Sequence, residues 1–377
     1  MRKMTFVAAL SLLLPTMALA QTMEKSLAFA QVAVGGSSPE ILETILNLTN
    51  RGTTTYNGTL NLFTMSNNSP QPWSPIVNGD ANAVTNGEMA ISLNAGNTTT
   101  LTLTGGATLA VGFATITPTG SSSTDETSFV EGTLTYYFMN GTASTNITNS
   151  VGISPSDALY LTTIPFDNFN NIALALANTN ATTASVNLLL YSAENVSMGN
   201  QTLTIPTNGH VAEYLSEIFT NVTMTGARLD IDSDTSIVAV AVTDVNSQFS
   251  SLPLLPSVKT FNWTIDWNSA VGTESTRGGT VSFRFYNSQG ESQSTILTKN
   301  GNPVANPHSN YVIGTFSTSG YGSYTFDPTN NEVTHWQATS LLSFSSPVIT
   351  GTAEIWGFDG TTFTYKGEGT LTLTATN

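Results

Sequence analysis

The side chains best suited by type and spacing to bind a ligand form an aromatic and acidic set near the C-terminus. Trp356 and Glu354 lie two residues apart in a stretch that alternates like a β-strand, so both share one face, with Ala353 and Ile355 on the other. Sugar rings present apolar C–H faces and hydroxyl groups, which suit an indole beside a carboxylate. We therefore predict Trp336, Trp356 and Glu354 as ligand-binding residues. The alternative is that the indole rings cover the apolar edges of neighbouring side chains.

Three aspartates at alternate positions, Asp230, Asp232 and Asp234, form a second candidate site, because calcium binds clustered oxygen ligands. The segment lacks the glycine and the distal glutamate of a helix-loop-helix calcium site. Its alternation instead indicates a strand followed by a turn, with Asp230 and Asp232 facing solvent. We predict no metal site and no cofactor, and the calcium alternative stays open.

The short signatures of common enzymes do not occur in this sequence. It has no G-x-S-x-G, no H-E-x-x-H and no phosphate loop, and only His210, His308 and His335 could supply an imidazole. We expect each to be a surface or packing histidine. A hydrolase that uses paired carboxylates such as Asp327 and Glu354 ranks last, since nothing in the sequence fixes their separation. We therefore predict no catalytic residue and no enzymatic activity.

Composition narrows the classes of partner. The chain has 10 Lys and Arg residues against 25 Asp and Glu, a net charge of −15. No basic residue lies between Arg51 and Arg228, so no cationic cluster is available there to displace counterions, and we predict no nucleic-acid partner. Cysteine is absent, which excludes disulfides and thiolate metal sites. Since charged residues make up only 9%, Thr, Ser and Asn must provide most solvent-facing positions, which suits β-strands.

The first 20 residues have the features of a secretory signal peptide. Arg2 and Lys3 precede a short apolar run, and Ala18-Leu19-Ala20 forms a cleavage site before Gln21. No later stretch is apolar and long enough for a transmembrane helix. We expect a secreted protein of bacterial type, extracellular or at the cell surface, with the periplasm as a further possibility.

A pattern of strand, polar turn and strand occurs twice and divides the chain. The first copy spans Ile45 to Phe63 and the second spans Ala173 to Tyr191. Leu174, Leu176 and Asn178 of the second copy occupy the positions of Leu46, Leu48 and Asn50 in the first. We predict one module at residues 21–148, another at 149–256 and a β-rich domain, either a sandwich or a barrel, at 257–377.

The two copies are predicted to diverge in detail. A long polar insertion at residues 66–86 belongs to the first copy, and its Trp73 is expected to fold back over a core edge. In the second copy, apolar residues at helical spacing predict a short amphipathic helix over residues 210–219. Ala227 to Ile231 and Ile237 to Val242 are predicted to form a hairpin that matches the last two strands of the first copy.

The last domain is predicted from alternation and one turn. Residues 261, 263, 265 and 267, which are Phe, Trp, Ile and Trp, fall on one face by a period of two and are expected in the core. Asp359-Gly360 predicts a tight hairpin turn after Phe358.

The repeated strand pair, with the segments LNAGNTTTLTL, IPTNGHVAEYLSEIF and FSSLPLLP, resembles the tandem immunoglobulin-like modules of exported bacterial proteins. The resemblance covers about residues 26–256 and implies an all-β fold of two tandem immunoglobulin-like β-sandwiches. Such modules generally serve as spacers, adhesive stalks or accessory domains, and the family supplies no catalytic residue. We expect a structural or adhesive protein with other surface proteins or polysaccharide as partners. The alternative is a carbohydrate-binding accessory protein.

Overall fold

A computed structural model describes residues 26–376 of the chain, with gaps, and antiparallel strands dominate it. The gaps are residues 38–39, 67–68, 141–146, 157–158, 221, 223–224, 246–247, 257, 272–273, 286–291, 300–301, 304–311, 318–319, 328–331, 339–347 and 360. The fold is all-β, as predicted. The predicted signal peptide lies outside the described residues. Within the described part, no helix has the length and apolar character needed to cross a bilayer.

The first module contains strands β1 to β10 and a one-turn 3-10 helix at Gly120–Ser123. The strands are β1 Leu27–Ser37, β2 Glu40–Asn50, β3 Tyr56–Ser66, β4 Ser69–Pro72, β5 Ile76–Val77, β6 Glu88–Leu93, β7 Thr98–Thr104, β8 Ala110–Pro118, β9 Val130–Met139 and β10 Ile147–Ile153. Strand β10 pairs with β9, so the predicted boundary after residue 148 falls inside a strand that pairs within the first module.

The second module and the C-terminal domain continue the series. The second module has β11 Leu159–Asn168, β12 Ile172–Ala177, β13 Ala184–Ser192, β14 Ser197–Ile205, β15 His210–Tyr214, α1 Leu215–Ile218, β16 Thr225–Val245, β17 Gln248–Leu252 and β18 Leu255–Pro256. The C-terminal domain has β19 Val258–Val271, β20 Glu274–Phe285, β21 Ser292–Lys299, β22 Asn302–Pro303, β23 Val312–Ser317, β24 Gly320–Asp327, β25 Glu332–Ala338, β26 Val348–Phe358 and β27 Phe363–Ala375.

Alternation of apolar and polar residues builds the core of each module. In the first module, β8 lies between β1 and β3 in one sheet, and β2 lies between β9 and β7 in the other. Leu46 and Leu48 of β2 and Leu60 and Leu62 of β3 are all buried. Trp73, from the polar insertion, packs against this core as predicted.

A buried asparagine closes the strand pair in both copies. The Nδ2 group of Asn50 donates to the carbonyl oxygens of Thr54 and Leu93, at 2.7 and 2.9 Å. The Nδ2 group of Asn178 donates to those of Thr182 and Ile205, at 2.8 and 2.9 Å. Because the partners lie at equivalent positions, the internal repeat extends from the sequence pattern to the hydrogen bonds.

The predicted hairpin at residues 227–242 is wrong, because β16 is one continuous strand of 21 residues. Its first half pairs with β11 and β13, and its second half pairs with β12, so the strand passes from one sheet to the other. Asp232 and Ser233 lie at this crossing and are each 1% exposed. The prediction that Asp232 faces solvent is therefore also wrong, because the chain stays extended where a turn was expected.

The predicted helix at residues 210–219 is wrong over its first half. His210–Tyr214 forms β15, which pairs with β12 along its whole length. Only the turn Leu215–Ile218 is helical, and its Glu217 accepts a hydrogen bond from the backbone N–H of Tyr214 at 2.9 Å. Backbone pairing with β12 satisfies the polar groups of residues 210–214, a tertiary effect that helical spacing does not report.

The two modules share apolar packing instead of meeting only through a flexible connector. Ala175, Ala177, Val238, Val240 and Val242 of the second module belong to the same buried cluster as the first-module core. Backbone contact accompanies this packing, since the N–H of Ser156 donates to the carbonyl oxygen of Ala28 at 2.9 Å. Side chains of both copies are therefore excluded from water together.

The C-terminal domain is a single antiparallel sheet that closes on itself. The order is β20-β19-β27-β26-β25-β24-β23-β21, and β20 also pairs with β21. The four alternating apolar side chains of β19 point to the inside as predicted: Phe261 and Ile265 are 0% exposed, Trp263 2% and Trp267 7%. Closure leaves the polar face of β19, β26 and β27 on the outside, where the candidate site lies.

Candidate functional site

The candidate site lies on the hairpin of β26 and β27. Its turn is held by Asp359, whose Oδ1 accepts hydrogen bonds from the backbone N–H groups of Thr361 and Thr362, each at 2.9 Å. These hydrogen bonds, with that from the Thr361 hydroxyl, lower the pKa of Asp359. Phe358 pairs with Phe363, so the loop spans residues 359–362 and is longer than the tight Asp359-Gly360 turn predicted, and Gly360 itself lies outside the described residues.

Strand β26 presents its two predicted binding residues to the outside. Ala353 and Ile355 are 1% and 0% exposed, whereas Glu354 and Trp356 are half-buried. The assignment of faces from alternation is therefore correct for this strand. The indole Nε1 of Trp356 donates a long hydrogen bond to Glu354 Oε2 at 3.4 Å, so the structure brings these two predicted residues together.

An aromatic pair adjoins this contact. Trp356 pairs with Tyr365 of β27, and their ring centroids are 5.1 Å apart with planes at 69°, an edge-to-face arrangement. Tyr365 is 47% exposed and Phe363, two residues away, is 56% exposed. Two exposed rings and a half-buried one thus form an apolar platform at the turn end of the hairpin.

Two carboxylates border the platform. Glu354 and Glu368 are directly opposite each other in the register of β26 and β27. Glu368 Oε1 accepts a hydrogen bond from Asn268 Nδ2 at 3.3 Å. The pKa of Tyr365 is raised by partial desolvation first, then by the negative charges of Glu368 and Glu354 and a hydrogen bond to Glu368. Its phenol therefore stays protonated at neutral pH and can donate.

Trp336 does not pair with the other two predicted residues. In the register of β25 and β26 it lies opposite Ala353, whereas His335 lies opposite Glu354 and Val333 opposite Trp356. Its side chain is outside the described residues. The grouping of Trp336 with Trp356 and Glu354 stays a prediction.

The three aspartates of β16 do not converge. Asp230 accepts hydrogen bonds from Thr163 Oγ1 at 2.8 Å and from Arg228 Nε at 3.2 Å, and Asp234 accepts one from the backbone N–H of Ser185 at 2.8 Å. Asp232, between them, is buried. Across the described residues, no group of three or more acidic or histidine side chains is placed to hold a metal ion.

The histidines lie in different settings. His210 is 6% exposed at the contact between the modules, where its ring stacks on Phe113 at 6.3 Å between centroids. Burial lowers the pKa of His210 to about 4, although its hydrogen bond to the backbone of Ala30 acts in the opposite direction. His308 lies outside the described residues. As a packing histidine His210 fits the prediction, but its position between modules was not foreseen.

Asp327 and Glu354, the two carboxylates considered for a hydrolase, do not lie opposite each other on paired strands. Asp327 pairs with Glu332 of β25, which in turn pairs with Gly357 of β26. Asp327 is thus two strands away from β26. It is level with Gly357, which lies three positions beyond Glu354. The carboxylate that does lie opposite Glu354 on a neighbouring strand is Glu368.

Tyr365 and Glu368 were missed by sequence reasoning. A two-residue Asp-Gly loop would place Phe363 opposite Trp356, but the loop holds four residues and a register shift follows Ile355. These two changes bring Tyr365 and Glu368 beside Trp356 and Glu354. The signal present in the sequence was the Asp-Gly-Thr-Thr turn, whose Thr residues hydrogen-bond the aspartate.

Comparison with known proteins adds no family assignment to this geometry. No family model matches the sequence, and no curated protein matches it.

Proposed function

We propose that this is an exported, non-catalytic structural or adhesive protein of the cell surface or extracellular space. In this proposal, residues 26–256 are two tandem immunoglobulin-like β-sandwiches that act as a spacer, and the closed C-terminal sheet is the domain they present. Other surface proteins or polysaccharide are the partners.

The observation that carries this proposal is the apolar cluster shared by the two modules. A spacer must hold its ends apart, and modules joined by a flexible linker do so poorly. Here Val238, Val240 and Val242 of β16 pack with the core of the first module, and Phe138 stacks on Phe249 at 4.2 Å with planes 3° apart. Relative movement of the modules would expose these side chains to water.

Fractionation of the producing cells tests the proposal. We expect the protein in washed cell-surface material or in the culture medium, detected by an antibody against the whole chain. A periplasmic marker and a cytoplasmic marker serve as controls. Recovery with the cytoplasmic marker would contradict export, and with it the proposed role.

A second candidate function, carbohydrate binding, is favoured by the platform on β26 and β27. Trp356, Tyr365 and Phe363 offer apolar ring surface, and Glu354 and Glu368 offer acceptors for sugar hydroxyl groups. The arrangement places both kinds of group on one outer face within a single hairpin. It would make the protein a carbohydrate-binding accessory protein.

A glycan array and pull-down on insoluble polysaccharides test this second function. We expect Trp356→Ala to weaken binding by roughly 2- to 10-fold, because an aromatic contact of this type is worth roughly 0.5 to 1.5 kcal/mol. Val348→Ala is the matched control, since Val348 is an exposed apolar residue at the other end of the same strand. Equal binding by the two variants, or no glycan bound by the wild-type protein, would remove the carbohydrate hypothesis.

A further inference from the structure

Strand β14 of the second module is a long edge strand with one described partner. It pairs with β13 from Ala184↔Ile205 to Tyr191↔Ser197, and no other described strand pairs with it. The backbone N–H and C=O groups on its other side therefore point away from the sheet. Such a row of groups is a template for pairing with another strand.

The corresponding edge of the first module is protected against pairing with another strand. There β3 pairs along its outer side with β6 and β4 in turn. Strand β4 contains Pro70 and Pro72, which cannot donate a backbone hydrogen bond, and β6 begins with the charged Glu88. The insertion that supplies β4 also brings Trp73 against the core. This edge is interrupted and unsuited to pairing.

The second module lacks the prolines and the charged residue that interrupt this edge in the first module. A short turn, in which the N–H of Ser192 donates to the carbonyl oxygen of Val196 at 2.9 Å, leads directly into the nine residues of β14, whose register with β13 shifts once, at Met198. The strand, SMGNQTLTI, has no charged residue and no proline. Val196 is 57% exposed and Met198 38% exposed. The edge is thus uncharged and partly apolar, and its pairing with β13 is regular from Gly199 to Ile205, beyond the register shift at Met198.

Charge indicates which partner this edge fits. Two copies of a chain with net charge −15 repel each other, so they approach with least repulsion along an uncharged strip. The other edges of the second module are less suitable. Strand β15 carries Glu213, and β17 lies beside the first module through the stacking of Phe249 on Phe138.

We propose that β14 pairs antiparallel with β14 of a second copy of this chain, about a two-fold axis through Gln201. Gln201 is the middle residue of the strand, so this register pairs residues 199–203 of the two copies, all of which lie beyond the register shift at Met198. It places Gln201 opposite itself, Asn200 opposite Thr202 and Gly199 opposite Leu203. Amide and hydroxyl groups meet across the axis, and each copy contributes the same surface, as in most dimers.

Sedimentation velocity of the whole protein over a range of concentrations tests the pairing. We expect a monomer–dimer equilibrium that Gln201→Lys weakens by roughly 5-fold or more, since like charges directly opposite across strands are destabilising. Gln71→Lys is the matched control, because it makes the same change at an exposed position of the protected edge strand β4. It is expected to leave the equilibrium unchanged.

The absence of cysteine allows a second test of the register. Under mild oxidation, Gln201→Cys is expected to form a disulfide-linked dimer, since residue 201 faces itself across the axis. In the same register the two copies of residue 204 lie roughly 20 Å apart, so Thr204→Cys is expected not to cross-link.

Three results would overturn the proposal, which does not depend on the proposed function. One is a wild-type protein that stays monomeric at about 1 mM, where even a contact of ~4 kcal/mol is half formed. That result would leave a strand of a different protein as the occupant of the edge. The others are equal dimerisation of Gln201→Lys and wild type, and equal cross-linking of Gln201→Cys and Thr204→Cys.

Discussion

The first and second modules differ most where β8 and β9 of the one correspond to β16 of the other. In the first module the chain leaves the sheets after β8, forms a 3-10 turn at Gly120–Ser123 and returns as β9. In the second module β16 passes from sheet to sheet without leaving the core. Both solutions place strands beside the same neighbours, β3 and β2 in one copy and β13 and β12 in the other. The connection is therefore variable, and the pairing of strands is what the fold requires.

The buried asparagine is common to both copies. Asn50 and Asn178 are each 0% exposed, and each also accepts a backbone N–H, from Gly52 at 2.8 Å and from Asn180 at 3.0 Å. The asparagine thus satisfies carbonyl groups of two chain segments that the sheets leave unpaired. The buried asparagine is thus a requirement that the two modules share, whereas other features belong to one module. The following substitutions measure the contribution of each kind of feature to stability.

Asn178→Ala is expected to have the largest effect, a loss of about 3 to 4 kcal/mol of unfolding free energy, because buried carbonyl groups lose their donor. Asn178 Nδ2 contacts the carbonyl oxygens of Thr182, Ile205 and Pro206, whereas Asn50 Nδ2 contacts two carbonyl oxygens. Asn50→Ala should therefore cost somewhat less. Urea unfolding of both variants measures the difference. Asn187→Ala is the control, since Asn187 bonds Thr202 on an exposed strand face. If it costs as much as Asn178→Ala, the role assigned to the buried amide is wrong.

The contact between the first and second modules should be sensitive to acid, because His210 is buried in it. Its folded-state pKa of about 4 lies below the ordinary value of 6.5, so between these values the unfolded chain binds a proton that the folded chain excludes. Stability from the neutral ring is complete above pH 6.5 and is lost as pH falls toward 4, by up to about 3 kcal/mol. His210→Gln retains a donor but does not titrate. The difference in melting temperature between wild type and variant should therefore change across this window. A constant difference from pH 7 to pH 4 would contradict the assignment.

The smallest expected effect concerns the stacked pair Phe138 and Phe249, one from each module. Both rings are partly buried, so each single alanine variant should cost about 1 to 2 kcal/mol. A double-mutant cycle should give a coupling energy of about 1 kcal/mol, which links the stability of the first module to that of the second. Zero coupling, together with two separate unfolding transitions, would mean that the two modules behave as independent domains.

Local periodicity predicted the parts of the fold that depend on one strand at a time. The alternation of Phe261, Trp263, Ile265 and Trp267 was enough to place four side chains inside the closed sheet. The repeated asparagine was likewise visible in the sequence.

Features set by contacts between distant segments were not predictable in this way. Residues 210–214 have helical spacing but pair with β12, and Asp232 and Ser233 of β16 are polar but buried where the strand crosses between the sheets. At the candidate site, Tyr365 and Glu368 depend on the length of one turn and on a register shift after Ile355. A shift of this kind leaves no mark in the alternation of either strand. It is set by how the two strands meet.

The short strand β18 determines how a mechanical load would enter the second module. Among the described residues it pairs with β11 at two positions, Thr163↔Leu255 and Thr162↔Pro256, and Thr162 Oγ1 donates to the carbonyl oxygen of Leu255 at 3.0 Å. Strand β19 of the C-terminal domain begins two residues later. Tension on that domain would therefore peel β18 and then β17 before it reached β16. Release of residues 248–256 would free a segment whose fully extended length is roughly 30 Å. This would limit the force on the part of the shared core that β16 supplies.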